Sequence, residues 1–92
     1  MAVTVRLPGT LRDAIGGATR IQATGTTLDE VFADIDRRHP GFRALVLDER
    51  GAIRSYLNVY VGDTDVRTSG GLETALPDGS EVMVIPAMAG GH

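Results

Sequence analysis

The residue types best suited to chemistry lie at the carboxyl end of the chain, in Pro86-Ala87-Met88-Ala89-Gly90-Gly91-His92. A hydrophobic strand pattern stops at Pro86, and small residues follow it. Two adjacent glycines carry no Cβ atoms, so the chain is narrow there and an enzyme can close around it. The segment therefore predicts a flexible tail over residues 87–92. His92 follows the glycines, so the terminal carboxylate of the sequence is not on Gly91.

Other side chains that often do chemistry are absent or isolated. The sequence has no cysteine, which excludes disulfides, thiolate catalysis, zinc–thiolate sites and a persulfide on a side chain. It also has no lysine, so the chain cannot accept an isopeptide bond on a lysine and form lysine-linked chains of itself. The two histidines, His39 and His92, are too far apart in sequence to indicate a metal site. We predict neither a catalytic residue nor a bound metal.

Several polar positions have structural explanations that outweigh functional ones. His39 stands at a helix end, where a capping role is expected. Asp63 and Asp65 are typical turn formers. The pair Gly70-Gly71 lacks the lysine of a phosphate-binding loop. Arg67 either contacts a carboxylate on a partner or, as we favour, forms a surface salt bridge.

Length and charge limit the class of protein. Ninety-two residues suffice for one domain, and 42% apolar residues are ordinary for a folded protein. No apolar run approaches the roughly 20 residues of a membrane span, and the first residues do not resemble a signal peptide. A net charge of −3 argues against nucleic-acid binding. We expect a cytoplasmic protein that contacts neither membrane nor nucleic acid.

The chain alternates between strand patterns and one strong helix pattern. Strands are predicted at residues 2–7, 18–23, 56–61 and 80–85, with a brief pairing at 66–67 and a short helical turn at 42–47. The helix begins at Thr27, which has a carboxylate three residues later, and Pro40-Gly41 ends it. Its apolar stripe consists of Leu28, Val31, Phe32 and Ile35, and its polar face of Asp34, Asp36, Arg37 and Arg38.

The order of these elements predicts an α+β fold of the β-grasp type. One main helix packs across a mixed sheet of four to five strands, so that the apolar stripe of the helix and one face of the sheet cover each other. The first and last strands lie side by side in parallel at the centre. The domain is expected to span residues 1–86, and its last strand would hold the root of the tail over 87–92.

The chain resembles the MoaD/ThiS family of ubiquitin-like sulfur carriers. The matching segments are Leu57-Asn58-Val59-Tyr60-Val61, Leu76-Pro77-Asp78-Gly79-Ser80-Glu81-Val82 and the terminal Ala89-Gly90-Gly91. The likeness is strongest to members that serve cysteine biosynthesis, through residues 65–72 and 85–91. It covers nearly the whole chain, and only His92 departs from the family pattern. The resemblance implies that the working carboxylate is that of Gly91, with His92 either removed by a protease or foreign to the natural chain.

The resemblance implies a carrier rather than an enzyme. An E1-like enzyme would spend ATP to adenylate the Gly91 carboxylate, with Ala89, Gly90 and Gly91 threaded into it, and sulfur would then replace AMP to give a thiocarboxylate. The acceptor would be a PLP-dependent cysteine synthase, and a metalloprotease would trim the tail or release the product. Alternatives are delivery of sulfur to molybdopterin, thiamin or a secondary metabolite. No cofactor would be bound by the chain itself.

Alternation of side chains predicts which face of the sheet such partners contact. Tyr60 and Met83 point away from the core, and Met88 lies on the tail, so these three residues form a candidate docking patch. Ordinary sheet-face positions are the competing interpretation. At the level of function, a ubiquitin-like modifier joined through Gly91 and a plain interaction module with a disordered end are the alternatives.

Overall fold

Five strands form one mixed sheet in the computed structural model, which describes residues 2–87. The strands are β1 (Ala2–Arg6), β2 (Arg20–Thr24), β3 (Leu57–Val61), β4 (Thr64–Asp65) and β5 (Glu81–Pro86). Their order across the sheet is β2-β1-β5-β3-β4. β1 and β5 pair in parallel, and the other neighbours are antiparallel. The predicted β-grasp arrangement, with the first and last strands adjacent at the centre, is confirmed.

One long helix covers the inner face of this sheet. The helices of the described part are α1 (Gly9–Arg12), α2 (Leu28–Arg38) and α3 (Phe42–Val46), and none is long and apolar enough to cross a membrane. The predicted stripe of α2 is fully buried, together with Val5, Val59 and Val84 from the sheet. The ring of Phe32 meets that of Phe42 edge-on at 5.8 Å between centroids, which joins α2 to α3.

The start of α2 is capped as its sequence predicts, with one change of partner. Thr27 Oγ1 accepts a hydrogen bond from the Glu30 backbone N–H at 3.2 Å. The Glu30 carboxylate reaches back one residue further than a capping box requires and accepts from both the N–H and the hydroxyl of Thr26. These hydrogen bonds lower the pKa of Glu30.

Two strand predictions were displaced along the chain. β2 lies at Arg20–Thr24, two residues later at its start than predicted. The short pairing predicted at 66–67 occurs instead at Thr64–Asp65, and the residues after it, Val66–Thr68, form a 3-10 turn. Val66 is completely buried, so its side chain enters the core instead of extending a strand along the sheet edge.

Asp34 does not lie on the solvent face where helical periodicity placed it. Its side chain is only 13% exposed, and its carboxylate accepts from the Thr24 N–H at 3.1 Å and pairs with Arg37 and Arg38. The Thr24 N–H, together with the two arginines, holds the pKa of Asp34 below its ordinary value despite the opposing effect of burial. Asp34 therefore fastens α2 to the end of β2.

This attachment predicts a pH dependence of stability. Because the pKa of Asp34 is lower in the folded chain, its ionised form stabilises the fold above the unfolded pKa, and the contribution is lost as pH falls through the folded value. We expect the free energy of unfolding to drop below about pH 4, and to drop less steeply in Asp34→Asn. Urea unfolding at several pH values measures both, with Glu49→Gln as the control for removing one negative charge. Parallel pH profiles for wild type and Asp34→Asn would contradict this role.

Gly25, in the turn between β2 and α2, is fixed by close contact with the helix. A Cβ at this position would lie 2.8 Å from Glu30 Cβ and 2.9 Å from the Val31 backbone nitrogen, too close for either to remain in place. We expect Gly25→Ala to lower the free energy of unfolding by about 1–3 kcal/mol, measured by urea denaturation. Gly9→Ala is the matched control, since nothing lies within 4 Å of a Cβ there. Equal stabilities of the two variants would refute the steric explanation.

Candidate functional site

The root of the tail is held by the strands on either side of β5. Pro86 lies opposite Leu57 of β3, and the Ala87 N–H donates to the Tyr56 carbonyl at 2.7 Å, one residue beyond the strand. On the other side, Val82 and Met83 lie level with Val5 and Arg6 of β1. The last described residues are therefore anchored by backbone pairing. The predicted tail residues Met88, Ala89, Gly90, Gly91 and His92 lie outside the described part of the chain.

Tyr60 and Met83 lie beside each other on the outer face of the sheet. They are direct cross-strand partners on β3 and β5, and the next residue in the same row is Arg6 of β1. Both side chains are half-buried and neither belongs to the core, as alternation predicted. Met83 and Tyr60 thus form a continuous surface at the centre of the outer face, on the strand that leads into the tail and on its neighbour β3.

The cross-strand pair of the outer face that lies nearest to the tail, with the arginine bound to it, combines one apolar and two polar side chains. Ile85 of β5 lies opposite Asn58 of β3, and the Asn58 side-chain oxygen accepts from Arg67 Nη1 at 2.8 Å. Tyr56, just before β3, is 56% exposed, which is unusual for so large a side chain. Together with Tyr60 and Met83, these residues give the outer face an apolar centre with a polar edge, which is the composition of a protein interface.

Arg67 does not form the surface salt bridge that the sequence suggested. No carboxylate within residues 2–87 pairs with it; instead its Nη2 donates to the Leu57 carbonyl at 2.7 Å and to the Arg54 carbonyl at 3.3 Å. β4 is too short to pair with the first residues of β3, so the guanidinium takes the place of a neighbouring strand there. Arg67 thereby stabilises the segment that holds Pro86 and Ala87.

The remaining candidates have the structural roles expected of them. His39 is the C-cap of α2, and its N–H donates to Ile35 O at 2.8 Å. Asp65 caps the turn Val66–Thr68 by accepting from the Arg67 N–H. Asp63 lies in the turn between β3 and β4. Among the residues that the structure describes, no group of three potential metal ligands occurs.

The carboxylates with shifted pKa values lie away from the outer face. Besides Glu30 and Asp34, only Asp48 within residues 2–87 shows a resolved shift. Its pKa is lowered by hydrogen bonds from the Ala52 and Arg50 N–H groups, with the Arg50 and Arg54 charges adding to the effect. All three carboxylates stabilise caps, turns or helix attachment. The outer face therefore remains available as a surface for binding.

The sequence interpretation missed Tyr56, Asn58 and Arg12 as parts of this region. Tyr56 and Asn58 belong to the same strand pattern as Tyr60, and alternation would have placed Asn58 on the outer face. Arg12 lies in a shallow cleft of about 230 Å³ that is also lined by Met83 and Ile85. Nothing in its local sequence indicates this, because the contact joins residues some seventy positions apart.

Comparisons with known proteins agree with this geometry. The sequence profile of the ThiS family matches residues 5–91. The sulfur carrier protein CysO of Mycobacterium tuberculosis is 42% identical over 93 residues, which cover 99% of this chain and 100% of that protein. The Haloferax volcanii small archaeal modifier protein 3 is more distant, at 27% identity over 94 residues, with 99% and 100% covered.

Solved structures show the same fold. The crystal structure of M. tuberculosis CysO superimposes with a TM-score of 0.90 at 40% identity and covers 94% of this chain and 99% of its own. A chain in the crystal structure of the Amycolatopsis orientalis BexX/CysO complex gives a TM-score of 0.88 at 43% identity, covering 97% and 99%. The chain therefore belongs to the ThiS family, and within it to the sulfur carrier proteins of the CysO type.

Proposed function

We propose that this chain carries sulfur as a thiocarboxylate on Gly91 and delivers it to an enzyme of cysteine biosynthesis. The observation that carries the proposal is the root of the tail. The chain leaves the fold from the central strand, and Ala87 is still hydrogen-bonded to Tyr56. A narrow glycine-containing end on such a root can enter a partner's active site while the body stays folded.

The chemistry requires activation, because a carboxylate is a poor electrophile. An E1-like enzyme joins the Gly91 carboxylate to the α-phosphate of ATP and releases pyrophosphate. A sulfur nucleophile supplied by a sulfide donor attacks the acyl carbon and expels AMP, which leaves a thiocarboxylate. The chain contains no cysteine, so no internal thiol competes for the adenylate and the terminus is the only place for the sulfur.

The free energy gained when the folded body docks offsets the entropy lost when the tail is ordered. Fixing each terminal residue inside an enzyme costs roughly 1–2 kcal/mol of backbone entropy. The outer face around Tyr60 and Met83 is proposed as the docking surface, with Met88 extending it along the tail. The A. orientalis complex, in which a related chain is bound to BexX, supports the view that carriers of this shape bind partner proteins.

The downstream steps follow the same logic. A PLP-dependent cysteine synthase would hold an activated serine derivative, and the thiocarboxylate sulfur would replace the leaving group on its β-carbon. A metalloprotease would then release cysteine from the carrier, and a protease step of the same kind would first remove His92 to expose Gly91. The activation step uses ATP and the proposed partners are soluble enzymes, which fits the cytoplasm.

Intact-mass spectrometry tests the proposal. The chain ending at Gly91 is incubated with the activating enzyme from the same organism, ATP and sulfide. The expected product is heavier by the difference between sulfur and oxygen, and the modification maps to the terminal residue. Omission of ATP is the control. An unchanged mass in the complete reaction would overturn the proposal, provided that the enzyme preparation is shown to be active on a related sulfur carrier.

A protein modifier is the second candidate, favoured by the similarity to the Haloferax volcanii small archaeal modifier protein 3. In that case Gly91 would become joined to lysine amines of other proteins. Tryptic digests of the cell extract would then contain lysines carrying the terminal residues of this chain. If thiocarboxylate forms and no such conjugates are found, the carrier function alone is supported. If conjugates are found and no thiocarboxylate forms, the modifier function replaces the carrier function.

A further inference from the structure

Two arginines beside the tail root have a fixed position and no counter-ion within residues 2–87. Four of the other arginines form salt bridges: Arg6, Arg37, Arg38 and Arg43. Arg54 is hydrogen-bonded to the Ala44 carbonyl, and its charge acts on Asp48. Arg12 and Arg67 are held by backbone carbonyls instead, and no described carboxylate lies within 4 Å of either guanidinium.

These two arginines lie on opposite sides of the end of β5. Arg12 Nε donates to the carbonyl of Leu7, which follows β1, at 3.2 Å. Arg67 is bound to Leu57 at the start of β3. Because β5 separates β1 from β3, the two anchoring points are separated across the sheet by two strand spacings, roughly 10 Å. The pair therefore brackets the strand from which the tail emerges.

Both guanidinium groups retain donors for a partner. Of the five N–H donors of an arginine, Arg12 uses one and Arg67 uses three within the described part of the chain. Arg12 keeps both terminal nitrogens, which suit a carboxylate in bidentate geometry. Since the fold already fixes each side chain, binding a carboxylate would cost less conformational entropy than it does for a mobile surface arginine.

Charge decides what such a pair binds. The chain as a whole carries a net charge of −3, yet neither of these two guanidinium groups forms a salt bridge within residues 2–87. A partner with carboxylates at a matching spacing would meet attraction at the tail root and would be oriented by it. An apolar or basic partner would leave both cations unpaired at the interface, which is unfavourable.

We propose that Arg12 and Arg67 form a carboxylate-binding pair that docks an acidic patch of the activating enzyme onto the root of the tail. The inference rests on the proposed carrier function and adds to it the chemistry of the partner surface. The pair acts on recognition and positioning, while the reacting carboxylate lies further along the chain. Arg67 has the additional role of stabilising the start of β3.

Charge reversal separates recognition from chemistry. Arg12→Glu and Arg67→Glu are each expected to raise the KM of the carrier in ATP–pyrophosphate exchange about tenfold, with kcat unchanged, because rim charges govern association. The rise of KM with salt should be steeper for wild type than for either variant. Arg50→Glu is the matched control, since Arg50 is exposed in the loop after α3 and its substitution makes the same change of charge. Thermal unfolding verifies that Arg67→Glu is folded, and Arg12→Glu tests the pair independently of β3.

The outcomes distinguish the pair from the function on which it depends. If the wild-type chain ending at Gly91 undergoes no exchange, the carrier function fails and the pair with it. If wild type is activated but Arg12→Glu and Arg67→Glu keep its KM, or change it only as much as Arg50→Glu does, the carboxylate-binding pair is wrong and the carrier function stands.

The absence of lysine allows a direct test of the contact. Arg12→Lys or Arg67→Lys introduces the only side-chain amine of the chain. A carbodiimide then joins this amine to any carboxylate that it touches, forming an amide without a spacer. We expect cross-links from both positions to Asp or Glu residues of the activating enzyme, located by mass spectrometry. Cross-linking no more frequent than that of Arg50→Lys would overturn the proposal.

Discussion

A chain that keeps His92 is expected to be inert toward its activating enzyme, while the same chain ending at Gly91 is activated. In the proposed reaction the terminal carboxylate is adenylated, and one extra residue moves that group by about 3.5 Å along an extended chain. It also replaces a residue without a Cβ by one with an imidazole ring. Displacements of this size from the reacting geometry cost at least about 100-fold in rate.

ATP–pyrophosphate exchange at saturating enzyme measures this difference. A third chain ends at residue 91 and carries Gly91→Ala. It separates the effect of moving the carboxylate from the effect of widening the tail by a Cβ atom. We expect it to be activated more slowly than the chain ending at Gly91 and faster than the one ending at His92. All three should unfold at the same temperature, because the described core lies within Val3–Val84. Equal exchange rates with and without His92 would show that the carboxylate of Gly91 is not the one activated.

Loss of the apolar surface on the outer face is the second large effect that we expect. Met83 lies on the strand that leads to the tail and Tyr60 lies beside it on β3, and each is half-buried in the free chain. The double variant Tyr60→Thr, Met83→Thr removes most of this surface but keeps residues that favour strands. If both are central contacts, kcat/KM for activation should fall roughly 100-fold, mainly through KM.

Gln22→Thr provides the control for this double variant. Gln22 is exposed on the same outer face, on the edge strand β2 and two strands away from β5. We expect the Gln22→Thr substitution to leave the KM for activation unchanged. Urea unfolding of both proteins separates lost docking from lost stability. A double variant that is folded and retains the wild-type KM would place the docking surface elsewhere on the body.

Local patterns in the sequence predicted the parts of the fold that depend on periodicity. Leu28, Val31, Phe32 and Ile35 formed the buried stripe as expected, because helical spacing alone determines which side chains share a face. The parallel contact between the first and last strands followed from the order of elements, since a β-grasp sheet needs both at its centre. The positions of Tyr60 and Met83 followed from alternation along β3 and β5 in the same way.

The polar contacts were harder to predict because they join residues far apart in sequence. Periodicity assigned Asp34 to solvent, yet a backbone N–H ten residues earlier holds its carboxylate. Arg67 was expected to meet a carboxylate, and instead it satisfies carbonyls left open by the short β4. Propensity placed Val66 in a strand, whereas burial of its side chain draws the backbone into a turn. In each case a single tertiary contact outweighed the local pattern.

The central position of β5 also determines how the protein responds to mechanical force. An enzyme that draws the tail into its channel pulls β5 along its own axis, against hydrogen-bond ladders on both sides. These hydrogen bonds lie across the direction of pull, so they are loaded in shear and must break together instead of opening one at a time. A tail attached to an edge strand could be peeled away with little force. A tail attached to β5 distributes the pulling force over the hydrogen bonds to both neighbouring strands. The folded body can therefore be drawn against a partner without unfolding.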